Sequence, residues 1–298
     1  MKVVTIGFNV DDTADSLAAL LRALSSAGFV TALPTPSIAD DVLVDLSSCG
    51  FLGPTAIVAL GVLRRAALAQ GRELSIKPPT LERLYNYCRY SGLLAEFGAG
   101  PAPDALHHQN VTRPMLFFGG STPRDEISET VRLARSQMAV TRAGEGDLKL
   151  TLGEVTQNVL DHAGSSVGGC LSARAFSEKR EVRFAVADLG VGFRAALHRS
   201  GVEVRSAKDA LRKVFVDKVS SHSQSHNMGQ GLQHLHHIVR LTAGRLVIFS
   251  SNGWLDVKNS KNFFRDSDAS FPGTLVFVRL PIRPDTTDDE PQATFWDG

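Results

Sequence analysis

The chain has little cysteine. Cys49, Cys88 and Cys170 are isolated, odd in number and in no Cys-x-x-Cys spacing. That argues against a disulfide framework or a thiolate zinc cluster, and it suits a reducing compartment, so a cytoplasmic protein with buried filler thiols is expected. A charged-then-apolar leader is missing, as is any uninterrupted apolar run of about 18 residues, so neither secretion nor membrane spanning is expected. An excess of charge is missing too: the net charge is +1, the isoelectric point is near 7.8, and no basic run stands out. Composition therefore argues for neither a membrane nor a nucleic-acid partner. What is present is 298 residues, 43% of them hydrophobic, enough to bury the cores of two ordinary domains.

The most informative stretch is Leu148 to Ala163, LKLTLGEVTQNVLDHA. Leu148, Leu152, Val155 and Val159 recur at steps of four, three and four, the apolar stripe of an amphipathic helix. Glu154, Asn158 and His162 are spaced four apart on an adjoining face, so their side chains stack along the axis. A carboxylate can take a proton from water, and an amide oxygen can complete an octahedral Mg²⁺ shell otherwise made of phosphate oxygens and waters. By themselves these residues also describe a solvated helix face.

Three further pieces follow. Asp188-Leu189-Gly190-Val191-Gly192 comes after the alternating strand Val182, Phe184, Val186; Gly229-Gln230-Gly231-Leu232 opens the helical run Leu232, Leu235, Val239; Pro272-Gly273-Thr274 heads a strand ending Leu280-Pro281. In this order the four pieces resemble the N box, the two glycine boxes and the final Gly-Thr strand of the GHKL ATP-binding superfamily, which includes gyrase-type ATPases, histidine kinases and anti-sigma-factor kinases.

The resemblance implies an α/β sandwich over 124–283, a mixed sheet covered on one face by helices, with strands near 170–176, 182–187, 245–251 and 274–280. It implies ATP and Mg²⁺ as cofactors. Asp188 would accept from the adenine amino group with Thr274 supporting that edge, Gly190 and Gly192 would turn the backbone beside the purine, and Gly229, Gly231 and Leu232 would start a helix at the phosphates. Asn158 would ligate Mg²⁺, Glu154 would act on the attacking water or hydroxyl, and His162 would orient one of them or a phosphate. Two departures matter. Many histidine kinases carry Lys where this chain has Asp161, and the helix over 124–142 has no histidine to accept a phosphoryl group, so autophosphorylation of that type is not expected.

Residues 1–98 alternate strand and helix: a strand from Val3 to Phe8, a helix capped by Asp12 or Thr13 and stopped at Gly28, a strand from Asp41 to Leu46, a helix from Gly53-Pro54 to Ala69, a strand from Glu73 to Ile76 and a helix from Thr80. Such alternation implies a largely parallel sheet. The segment Asp45-Leu46-Ser47-Ser48-Cys49-Gly50-Phe51-Leu52, the helix after it and the helix ending Tyr90-Ser91-Gly92-Leu93 resemble a STAS domain. Phosphorylated STAS proteins open that helix with Asp-Ser-Ser-Gly; here the places read Gly53, Pro54, Thr55 and Ala56. Thr55 takes the serine's position but reads equally as a capping or packing residue.

Residues 99–123, rich in Gly, Pro, His and Asn, read as a linker. Between Gly192 and Gly229 a basic and then polar stretch corresponds to an ATP lid. His226, His234, His236 and His237 do not read as a metal cluster, since only His234 and His237 share a helix face and no carboxylate or Cys is near them in sequence. Trp254 to Phe271 reads as an insertion in the last hairpin that folds its Phe pair onto its own sheet, and 284–298 as an acidic disordered tail. The expectation is an Mg-ATP-dependent regulatory switch, ATPase or protein kinase, that meets a protein partner through residues 1–98 or the tail, with room for a homodimer. The alternatives are a nucleotide-sensing module without turnover and an ATP-dependent dimeric clamp.

Overall fold

The computed structural model describes residues 1–30, 37–38, 40–103, 111–217 and 231–282. The chain begins with β1 (Lys2–Thr5), α1 (Ala14–Ser26), a short antiparallel pair β2 (Phe29–Val30) and β3 (Ser37–Ile38), and β4 (Val42–Asp45). Then come α2 (Pro54–Ala69), β5 (Leu74–Lys77), α3 (Glu82–Tyr90) and α4 (Leu93–Glu96). Thr13, rather than Asp12, caps α1 by accepting from the Ser16 N–H, and Gly28 ends it at φ +86°. Strands β1, β4 and β5 form a parallel sheet in that order, as the alternation implies. The first strand stops at Thr5, and the chain beyond it runs beside residues 51–53 through the bridge Val10↔Leu52.

The second half starts earlier than expected. Residues inside the expected linker form β6 (Thr112–Phe118), an edge strand of a five-stranded sheet. Its ladder is irregular between Arg113 and Leu116, where Pro114 removes an N–H donor; proline is tolerated at such an edge. After it come α5 (Arg124–Gln137), α6 (Arg142–Asn158), β7 (Gly169–Phe176), β8 (Glu181–Asp188), α7 (Gly192–Arg199), α8 (Ala207–Phe215) and α9 (Gly231–Leu241). The last two elements are β9 (Arg245–Lys258) and β10 (Lys261–Pro281).

The five strands lie in the order β6-β7-β8-β10-β9, and each neighbouring pair is antiparallel, where a mixed sheet was expected. Tight turns join β7 to β8 and β9 to β10, and a tight turn can only reverse the strand. Asn259 and Ser260, both left-handed at φ +49° and +58°, make the second of these a two-residue turn whose twist matches the strands. The expected insertion at 254–271 is thus a continuation of one long ribbon. Strand alternation sends its two phenylalanines to opposite faces, so Phe264 packs on the core while Phe263 is exposed.

Both faces of this sheet are covered, not one. Leu171, Phe184, Val186, Ile248 and Val276 pack beneath α5, α6 and α9. On the opposite face Cys170, Ala185, Ala187, Val247, Phe249 and Phe277 share a single apolar cluster with α1 and α2. Every residue of α2 from Pro54 to Leu63 is buried, because the helix lies between the three-stranded and five-stranded sheets. A helix apolar all round requires such cover. Among the described residues no helix is long and apolar enough to cross a membrane.

Candidate functional site

The helix carrying Glu154 and Asn158 forms as its stripe predicts. Thr141 caps α6 by accepting from the Gly144 N–H, and Leu148, Leu152, Val155 and Val159 are buried against the sheet. The regular α-helix ends at Asn158, however. Val159–Ala163, which includes His162, is a single π-helical turn, so the α-helical backbone repeat does not extend past Asn158. Wider turns of this kind insert a residue and re-aim the chain, often at functional sites. Asp161 points along the helix to accept from Gln157 at 2.8 Å.

Asn158 Nδ2 donates to the Glu154 carbonyl at 2.6 Å, which leaves its Oδ1 without a partner among the described residues. That oxygen is the atom a hard cation takes, and Mg²⁺ needs few protein ligands because it keeps waters and phosphate oxygens. Asn158 therefore fits the expected role. Its partner, Glu154, is half-buried and reaches the first residue of α9: a Cβ on Gly231 would lie 1.7 Å from Glu154 Oε2. A Cβ there would push the carboxylate, the far end of a flexible side chain, out of the space it fills. Burial raises the Glu154 carboxyl above the ordinary range, the charge of His234 opposes this, and that of Asp161 adds to it. His234 thus has a carboxylate close by, contrary to expectation, but the described residues hold no group of three or more His, Cys, Asp or Glu suited to a metal.

The second group sits at the end of the sheet. Asp188, the last residue of β8, is directly opposite Thr274 of β10, and Thr274 is opposite Ser250 of β9. The Asp188 side chain is buried and accepts from the backbone N–H of Gly190 at 2.7 Å and from that of Thr274. Burial pushes its carboxyl up to about 7, against the pull of those two N–H donors. Gly192 starts α7 at φ +68°, with the Phe193 N–H donating to Ser250 Oγ at 3.1 Å.

The two groups meet at Ala163. A Cβ on Gly190 would lie 2.1 Å from the Ala163 carbonyl oxygen, which accepts from the Val191 N–H at 2.9 Å. The glycine loop after Asp188 is thereby packed on the last turn of the segment that carries Glu154 and Asn158. Gly231 and the buried Leu232 open α9 beside Glu154, while Gly229 and most of the expected lid lie outside the described residues. Sequence reasoning missed Ser250 and Ser165, whose hydroxyl accepts from the Leu189 N–H at 3.3 Å. Nothing in the residue type marks either; only the strand register and the turn after α6 bring them to the site. In the N-terminal segment Thr55 is buried, and its hydroxyl is committed to Asp12 at 2.7 Å.

No protein-family model matches the chain, and no curated protein matches it.

Proposed function

We propose that the protein binds Mg-ATP in the site framed by Asp188, Thr274, Asn158 and Glu154, and that it is a regulatory ATPase or protein kinase of the GHKL type with a STAS-like N-terminal segment. The observation that carries this reading is the contact of the Asp188 glycine loop with the chain end that follows Asn158, which links a buried carboxylate to a free amide oxygen and a half-buried carboxylate. A buried carboxylate flanked by a threonine suits an adenine amino group, because an unpaired N–H or acceptor there would be costly and a wrong base is rejected. Asn158 Oδ1 would hold the metal ion, which when bound neutralises phosphate charge and orients the triphosphate. Glu154 takes the proton of the attacking water or acceptor hydroxyl as the new O–P bond forms and the bond from the γ-phosphorus to the ADP oxygen breaks. With its carboxyl lifted by burial, Glu154 is a stronger base than an exposed glutamate.

The test is calorimetric titration with Mg-ATP followed by phosphate-release and phosphoryl-transfer assays. The reading requires binding by the parent protein, loss of binding in Asp188→Ala, and retained binding without turnover in Glu154→Gln. Absent binding in the parent, or full binding in Asp188→Ala, overturns it. One placement favours a second reading: Glu154 lies at the positive end of α9, where a carboxylate also serves as a helix-terminus charge. A module that senses nucleotide without turnover would bind Mg-ATP and release no phosphate in the parent protein.

A further inference from the structure

Three histidines sit on α9, and one of them faces Glu154. His236 is buried, with its Nε2 on Asn262 Oδ1 at 2.8 Å, and His237 lies nearly two turns from the start of the helix. His234 is exposed and makes no hydrogen bond or ion pair with a described residue. It stands one turn after Gly231, on the same side of the helix.

The Glu154 carboxylate occupies that side. Its Oε2 nearly coincides with the place a Cβ on Gly231 would take, while its Oε1 lies 3.3 Å from that place. Cβ atoms three residues apart on a helix are separated by about 5–6 Å, so Oε2 is about that far from the His234 Cβ, within the span of an imidazole. A helical side chain also leans towards the N-terminus and covers the turn before its own Cα, which for His234 is the turn of Gly231. The electrostatics agree: burial raises the Glu154 carboxyl, the His234 charge draws it down, and Asp161 adds to the rise. No other cation and no hydrogen bond from a described side chain acts on this carboxylate.

We propose that His234 is a positioning residue for Glu154: an imidazole N–H donates to Oε2 and turns Oε1 to the attacking water or acceptor hydroxyl. The proposal rests on the nucleotide reading above. A glutamate side chain has three rotatable bonds, and a base that must meet its proton in one geometry loses rate when it is free to swing. An imidazole fixes it without the permanent charge of a lysine or arginine, which would lower its basicity further. As the O–P bond forms, the proton of the attacking hydroxyl passes to Oε1, and the electron pair of the breaking bond leaves with ADP. His234 keeps its own proton throughout.

Phosphate release and Mg-ATP calorimetry on the full-length parent, His234→Ala, His234→Asn and His234→Gln test this. His234→Ala lowers kcat by about tenfold to hundredfold and leaves the Mg-ATP dissociation constant unchanged. At least one of the two amides, which keep an N–H donor near the place of Nδ1 or Nε2, restores most of the rate. In a Glu154→Gln background His234→Ala has no further effect, because the two act as a unit. Without nucleotide, the NMR ring resonances of His234 move on Glu154→Gln and those of His236 do not. Turnover that survives His234→Ala, a loss of rate matched by a loss of binding, a rate that neither amide restores, or His234 resonances indifferent to Glu154→Gln would overturn the proposal and leave the nucleotide site standing. A parent that binds Mg-ATP and releases no phosphate overturns it in favour of the sensing module. A parent that binds no Mg-ATP removes the nucleotide reading, and the role of His234 with it.

Discussion

Asp12 Oδ1 accepts both from the backbone N–H of Thr55, at 3.2 Å, and from its hydroxyl, at 2.7 Å. The two residues are brought together because the chain before α1 runs beside the chain before α2, Val10 accepting from the Gly53 N–H. Asp12 thus does for α2 what the helix's own Gly53 has no side chain to do. Its second oxygen, Oδ2, is buried with no hydrogen-bond partner among the described residues, and the Arg183 guanidinium lies 3.6 Å away.

This arrangement makes stability depend on pH. Burial raises the Asp12 carboxyl from 3.8 to about 6, outweighing the Thr55 hydrogen bonds and the Arg183 charge. A carboxyl whose folded value is raised contributes stability at acid pH that is lost as pH climbs through the folded value. At about 1.4 kcal/mol per pH unit the charge costs about 3 kcal/mol above pH 7. Asp12→Asn escapes that cost. Relative to the parent, its unfolding free energy in urea should therefore improve between about pH 4 and about pH 7. A difference independent of pH would show that Asp12 is not titrating in this window.

Asp188 sets a second pH dependence, this time in binding. The adenine amino group needs an ionised acceptor, and the free carboxyl is held near about 7 by burial. Between about pH 6 and about pH 8 the binding-competent fraction rises about tenfold, and the apparent affinity with it. Adenosine is the right probe because it has no phosphate to titrate. Asp188→Asn should flatten the profile, and a parent profile already flat would count against this role.

Glu154 and Gly231 are predicted to be coupled. A methyl on Gly231 would overlap the Glu154 carboxylate as it stands, so Gly231→Ala should displace that side chain and cost about 1 kcal/mol. In a Glu154→Ala background the same methyl finds room and the cost should largely vanish. A double-mutant cycle on unfolding free energy measures this directly. Additive effects would mean that the two residues do not touch in solution.

Much of this architecture can be read from the residues. The alternation of strand and helix in the first 98 residues and the period of the Glu154 helix lead to the observed elements, because each is set by local pattern and caps. Asp188 ends β8 ahead of its turn glycines, but Thr274 lies within the long strand β10, so their opposition is set by the register of the ladder. Other features depend on tertiary context. Strand β6 hides between Gly, Pro and His residues that read as linker, though Leu116 to Phe118 is apolar. The π turn after Asn158 has no sequence signature, and Asp12 looks like a second cap for α1 until the bridge at Val10 carries it to α2. One signal was available: α2 is apolar on all sides, which a helix lying on a single sheet does not need.

That helix yields the last prediction. Gly61 of α2 faces β6 and β7, and a Cβ there would already stand 3.2 Å from both Met115 Sδ and Phe117 Cζ. Removing residues 1–103 would strip α1 and α2 from the sheet and expose a face containing Val247, Phe249 and Phe277. A contiguous apolar surface of that kind drives association. A fragment covering 111–298 should therefore aggregate or self-associate in sedimentation analysis, and co-expressed 1–103 should restore a single species. Gly61→Leu in the full chain should destabilise by about 1–3 kcal/mol through the same contact. If the fragment were instead monomeric and unfolded at the same temperature as the full chain, the shared core would contribute nothing to stability, and the two halves would be independent folding units after all.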